Sequence, residues 1–118
     1  MRLNKIEKIA IAALEDIKAR DITVIDVRKL TTLYDTLVIA TAESARQVKA
    51  LSQHVREALK AAGATILGVE GQQTGEWVLV DAGDIVVHIM LPAARAYYRL
   101  EELWTPPKPQ RRRTTVPA

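Results

Sequence analysis

Asp81 and Asp84 are the nearest thing in this 118-residue chain to a pair of catalytic carboxylates. With Asp35 or Glu70 brought close they could bind a divalent cation for phosphoryl transfer, chemistry that needs carboxylates projecting from one strand face into a pocket. Here they bracket Ala82-Gly83 in a turn, where aspartate is common because its carboxylate accepts from nearby backbone N–H groups. His54 and His88 have no ligand spacing between them, and the absence of cysteine rules out disulfides, thiolate catalysis and cysteine-based zinc sites. The run from Gly68 to Gly75, GVEGQQTG, is rich enough in glycine for a phosphate cradle. It lacks the P-loop lysine, however, and leads into a strand rather than a helix N-terminus, so it reads as a flexible turn. Ser44 and Ser52 lie at or within a helix, away from any Gly-x-Ser-x-Gly elbow. The residues therefore argue against an enzyme, with no catalytic side chain, metal site or cofactor to name, and a binding role becomes the better reading.

The stretch most suited to binding is a hairpin. Two apolar runs, Trp77–Val80 and Ile85–Leu91, flank Asp81-Ala82-Gly83-Asp84, the pattern of two strands joined by a tight turn. With Ala82 and Gly83 as the loop, Val80 faces Ile85, Leu79 faces Val86 and Trp77 faces His88. The period-two pleat then puts Val78, Val80, Ile85, Val87 and Ile89 on one face, which reads as core. Trp77, Leu79, Val86, His88 and Met90 share the other face and form the candidate docking surface, with Pro92 and Tyr98 at its margin. Trp77 is the expected anchor, since an aromatic hot spot commonly costs on the order of 2 kcal/mol or more when truncated. The competing reading is that a helix of the same chain covers this face.

The elements that would position the hairpin follow from hydrophobic spacing. Leu3, Ile6, Ile9, Ala10, Ala13, Leu14 and Ile17 form the stripe of an amphipathic helix over 3–20. Thr23–Val27 and Thr36–Thr41 read as strands, the second more central. Ser44 and Gln47 have the form of a capping box for a helix over Ala45–Ala62, which Gly63 ends. Ala64–Val69 is a further strand, joined to the preceding one by a parallel crossover. Pro92 suits the first turn of a last helix running to about Trp104. The fold class is α+β, a mixed sheet of about five strands with flanking helices mainly on one face, in the order α-β-β-α-β-β-β-α.

Length suits one domain, 1–104, followed by a proline-rich basic tail, 105–118, that reads as disordered. The pI near 9.4 belongs to that tail. Lys108, Arg111, Arg112 and Arg113 lie in it without an acid, leaving 13 basic against 14 acidic side chains elsewhere, of 17 and 14 in all. Composition thus offers no basic excess on the domain itself for nucleic-acid binding. The tail is either merely solvated or makes weak contact with rRNA phosphates. No apolar run approaches a membrane span and the N-terminus lacks a signal-peptide core, so a soluble, cytoplasmic protein is expected.

Three motifs carry a resemblance beyond what spacing establishes. They are Gly68-Val69-Glu70-Gly71, the run Glu76-Trp77-Val78-Leu79-Val80-Asp81-Ala82-Gly83-Asp84-Ile85-Val86-Val87-His88, and Arg95-Ala96-Tyr97-Tyr98-Arg99-Leu100-Glu101-Glu102-Leu103-Trp104. Together with an echo in Asp26-Val27 and over 35–48, they make the chain resemble the ribosomal silencing factors of the Iojap family. The resemblance implies a translational repressor that binds the large ribosomal subunit at ribosomal protein fourteen (uL14) and blocks joining of the small subunit when nutrients are scarce. It also implies a nucleotidyltransferase-like fold and, often, a homodimer. The Gly-Ser helix start and Asp-x-Asp strand of an active nucleotidyltransferase are missing here, consistent with a fold kept without its chemistry. A nucleotide-binding enzyme and a homodimeric scaffolding module are the alternatives.

Overall fold

The structure, a computed structural model, describes residues 4–104. The expected tail, 105–118, lies outside the described residues. Along the chain run α1 (Lys5–Asp16), β1 (Arg20–Asp26), β2 (Thr36–Thr41), α2 (Ala45–Ala61), β3 (Gly68–Glu70), β4 (Trp77–Asp81), β5 (Ile85–Met90), α3 (Pro92–Tyr98) and α4 (Leu100–Trp104). The five strands form one sheet in the order β1-β2-β5-β4-β3. Only β2 and β5 pair in parallel; the other three pairings are antiparallel. The predicted α+β class and mixed sheet are what the chain adopts. No described helix is long and apolar enough to cross a membrane.

Both faces of the central strands are covered, so β2 and β5 are buried at every residue. On one face α1 and α2 bring Ala10, Leu14, Val48, Leu51 and Val55 against Val38, Val78, Val87 and Ile89. On the other, Leu37, Ile39, Val86 and Met90 pack with Val27 and with Leu100 of α4. The connection from β2 through α2 to β3 keeps the strands parallel, as expected, but passes over β5 and β4 before β3 joins the sheet edge.

Local chemistry explains the element ends. Asn4 caps α1 reciprocally: its Oδ1 accepts from Glu7 N and its own N–H donates to Glu7 Oε1, each at 2.8 Å. At α2 the expected box is half-formed. Ser44 Oγ accepts from Gln47 N at 3.1 Å, but the Gln47 side chain accepts from Glu43 N and donates to the Ile17 carbonyl, tying the end of α1 to the start of α2. The single helix expected over 92–104 is broken at Arg99, whose φ of 50° and ψ of 53° place it in the left-handed region. Glycine normally marks such a stop, and an arginine gives no such sign. The strand expected over 64–69 is shorter and begins at Gly68, where pairing with β4 starts, while Ala64 N still donates to the Leu59 carbonyl at the end of α2.

The hairpin register also differs from expectation. Leu79 faces His88, Trp77 faces Met90 and Asp81 faces Val86, so the two-residue loop is Gly83-Asp84 rather than Ala82-Gly83. Ala82 N donates to the Ile85 carbonyl at 3.0 Å and closes that loop. Gly83 has φ +88° and Asp84 does not share the positive φ, the arrangement of a type II′ turn with glycine first. The correction moves each pairing by two residues, an even shift, so no side chain changes face.

Candidate functional site

The strand face turned away from α1 and α2 carries an open cleft of about 630 Å³. Its floor is Leu79, Val86 and His88, contributed by β4 and β5, and its walls include Leu33, Leu67 and Leu100. Strand alternation puts the floor residues on one face, and the partner-less edge of β3 leaves Leu67 standing beside it. Leu33 and Leu67 are 78% and 66% exposed, a degree of apolar exposure that folding alone does not call for. Glu70, Asp81 and Asp84 border the cleft, and among the described residues no lysine or arginine does. Tyr34 also lines it, and burial, followed by the nearby Asp81 charge, raises the pKa of its hydroxyl.

Trp77 stands beside this cleft rather than at its centre. Its indole Nε1 donates to His88 Nδ1 at 2.8 Å, and Tyr98 of α3 lies over it with ring centroids 4.6 Å apart and planes tilted by 46°. The indole is half-buried, open toward a smaller hollow of about 270 Å³ shared with Glu70, Gly71 and Leu79. Burial pulls His88 down to a pKa of about 4, so it is neutral at physiological pH. With Nδ1 accepting from Trp77, the proton of the neutral ring sits on Nε2.

The seven residues expected to form a docking surface therefore divide. Leu79 and Tyr98 are accessible and Pro92 is exposed; Val86 and His88 reach the cleft with only 5% and 7% of their surface open. Met90 is a correction. It is fully enclosed among Leu37, Ile39 and the neighbouring core, because β5 is central and its far end is roofed by α3, so it supports the sheet and offers no surface. Leu33, Tyr34 and Leu67 were not among the expected residues. Two leucines in an otherwise polar connection, Leu30 and Leu33, were the available sign.

The carboxylate pair behaves as a turn. Asp81 Oδ1 accepts from Gly83 N at 2.9 Å, within the loop it precedes. Among the described residues, no group of three or more histidine, aspartate or glutamate side chains lies close enough to hold a metal ion. His54 is remote, with Nε2 3.1 Å from Asp16 Oδ2 between α2 and α1. What this face can do is seat an apolar, basic protein surface by burying leucines inside an acidic border.

Comparison with known proteins bears on the same question. Residues 2–117 match the family described as "Ribosomal silencing factor during starvation". The ribosomal silencing factor RsfS of Chromobacterium violaceum is 56% identical over 109 residues, covering 92% of this chain and 89% of that protein. The chloroplastic protein Iojap of Zea mays is 38% identical over 92 residues, covering 78% of this chain and 40% of that protein. A crystal structure of a Chromobacterium violaceum protein superposes with a TM-score of 0.85 at 55% identity, covering 93% of this chain and 92% of the other.

Proposed function

Because this chain belongs to the ribosomal silencing factor family, we propose that it represses translation in the cytoplasm by binding the large ribosomal subunit through ribosomal protein fourteen and excluding the small subunit. The observation that carries the reading is the cleft over Leu79, Val86 and His88, an apolar surface with acids, and among the described residues no cation, at its border. Proteins that live against RNA are basic, and such a partner gains from both halves of this arrangement. The leucines lose water on docking, at about 25 cal/mol per Å² of apolar area, while Glu70, Asp81 and Asp84 guide approach and orientation.

Repression requires no reaction. A folded domain held on the joining face occupies space the small subunit needs, and the two compete by mass action. Scarce nutrients would be the condition under which the bound fraction matters. Relatives are named as silencing factors rather than enzymes, which supports the same side of the choice. Exposed Tyr97 on α3 and Leu103 on α4, 80% and 73% accessible, favour a homodimer through those helices, apart from the cleft.

A photo-activated crosslinker at Leu67 tests the assignment on purified large subunits. Labelling of ribosomal protein fourteen above all other subunit proteins is expected. Labelling concentrated on a different subunit protein would remove that partner from the proposal.

A further inference from the structure

We propose that the outer face of α2 is a second recognition surface, one that binds the phosphodiester backbone of an RNA strand. Arg46, Lys49, Gln53, Arg56 and Lys60 follow one another at alternating steps of three and four, so they form a single line along a helix of 3.6 residues per turn. The line spans about 21 Å, from the rise of 1.5 Å per residue. It lies on the flank of the helix to one side of Val48, Leu51, Val55 and Leu59, which face the core. None of its four cations forms an ion pair among the described residues. The one acid of α2, Glu57, flanks the line and accepts from Gln53 Nε2 at 3.1 Å.

At the middle of the line is a cavity of about 400 Å³ bordered by Lys49, Ser52, Gln53, Arg56 and Gln72, with Val78 as its one apolar member. Ser52 is 2% exposed, and its Oγ has no hydrogen-bond partner; it is the one buried side-chain polar atom in that state among the described residues. A buried hydroxyl without a partner carries a desolvation cost that a ligand oxygen relieves. Arg56 Nε donates to the Ser52 carbonyl at 3.3 Å, which holds the guanidinium beside the cavity. Two cations, two amides and a hydroxyl suit the several acceptor oxygens of a phosphate.

The occupant follows from what the line lacks. It presents no exposed aromatic or leucine anchor, which a protein partner would grip, and the apolar side of α2 is consumed by the core, which leaves nothing to enter a membrane. A strand with regularly repeated negative charge meets cations at both ends of the line and at its middle cavity. This surface lies on the layer opposite the leucine cleft and does not depend on it.

The test is fluorescence anisotropy of a labelled RNA oligonucleotide with the full chain over a salt series, comparing wild type with Lys49→Gln combined with Arg56→Gln. Glutamine keeps the side-chain stem, and coincident thermal melts establish that the variant folds. Two lost phosphate contacts should weaken binding roughly tenfold at low salt and lower the slope of log K against log salt by about 1.4. Ser52→Ala should weaken binding a few-fold without lowering thermal stability. Removing equal charge from α1, as Lys5→Gln with Lys8→Gln, should cost much less. An unchanged slope in the α2 variant, or equal losses from α1 and α2, overturns the proposal. So does polyglutamate bound as tightly as RNA with the same sensitivity, which would make the partner an acidic protein. Leu67→Asn, which blunts the cleft, should leave RNA affinity unchanged, so a failed docking assignment does not alter this outcome.

Discussion

Trp77 Nε1 donates to His88 Nδ1 at 2.8 Å across the β4–β5 ladder, and this bond sets both the tautomer of the histidine and the orientation of the indole. It makes Trp77 part of the fold as much as part of a surface. Truncating Trp77 would leave His88 without its donor and Tyr98 without its ring contact, so loss of binding in Trp77→Ala could not be separated from loss of structure.

Stability should fall with acidification in a window set by His88. Its pKa in the fold is about 4, below the ordinary value of 6.5, so the unfolded chain takes up the proton first as pH drops. The contribution is complete above about pH 6.5 and is lost progressively toward pH 4, on the order of 3 kcal/mol in all. Urea melts at pH 7.5 and 4.5 should show the loss, and His88→Phe should show a smaller one. Equal loss in both proteins would place the titration elsewhere.

Gly71→Ala should destabilise the β3–β4 edge by about 2 kcal/mol or more. The φ of +87° disfavours any Cβ, and the added carbon would overlap the Trp77 carbonyl oxygen, a backbone atom that cannot swing aside. Gly68→Ala, where a Cβ meets nothing within 4 Å, is the control and should cost well under half as much. Denaturant midpoints of the two variants decide it.

Glu7→Ala should cost about 2–4 kcal/mol. The carboxylate is 1% exposed, accepts from Asn4 N and from the Thr36 hydroxyl, and lies 3.6 Å from the Arg28 guanidinium. Removing it takes away half of the α1 cap and leaves a buried hydroxyl without its acceptor. Glu7→Gln should recover part of the loss; recovery of none would mean that charge rather than hydrogen bonding sets the cost. Equilibrium unfolding supplies both numbers.

Arg95→Met should loosen α3 from the sheet. The guanidinium donates to Thr41 Oγ1 at 2.9 Å and to Thr23 Oγ1 at 2.7 Å, and so pins the helix that carries Tyr98 over Trp77. In a Trp104→Phe background, iodide should quench the Trp77 fluorescence of the variant more strongly than that of the parent. Equal quenching would mean that Tyr98 stays in place without Arg95.

Much of this was legible in the chain. Alternation on Trp77–Val80 and Ile85–Met90 gave the two faces correctly even though the loop was displaced, because a shift of two residues preserves the pleat. Ser44 and Gly63 marked the ends of α2 through ordinary cap chemistry. The break at Arg99 was not legible, since the residue there is a good helix former found in a left-handed conformation. Leu33 and Leu67 escaped notice because residues outside regular elements have no periodicity to give their direction. Nor could composition expose the cations of α2: a near-neutral total says nothing about how charge is divided between faces.

On the proposed reading, the leucine cleft, not the indole beside it, docks on the large ribosomal subunit. Leu33→Lys combined with Leu67→Lys tests it, since both side chains are largely exposed and can be replaced without disturbing the core. Co-sedimentation with purified large subunits should fall at least roughly tenfold, about 1.4 kcal/mol or more, while the thermal melt stays that of the wild type. A folded double variant that pellets with large subunits as fully as the wild type would contradict the account.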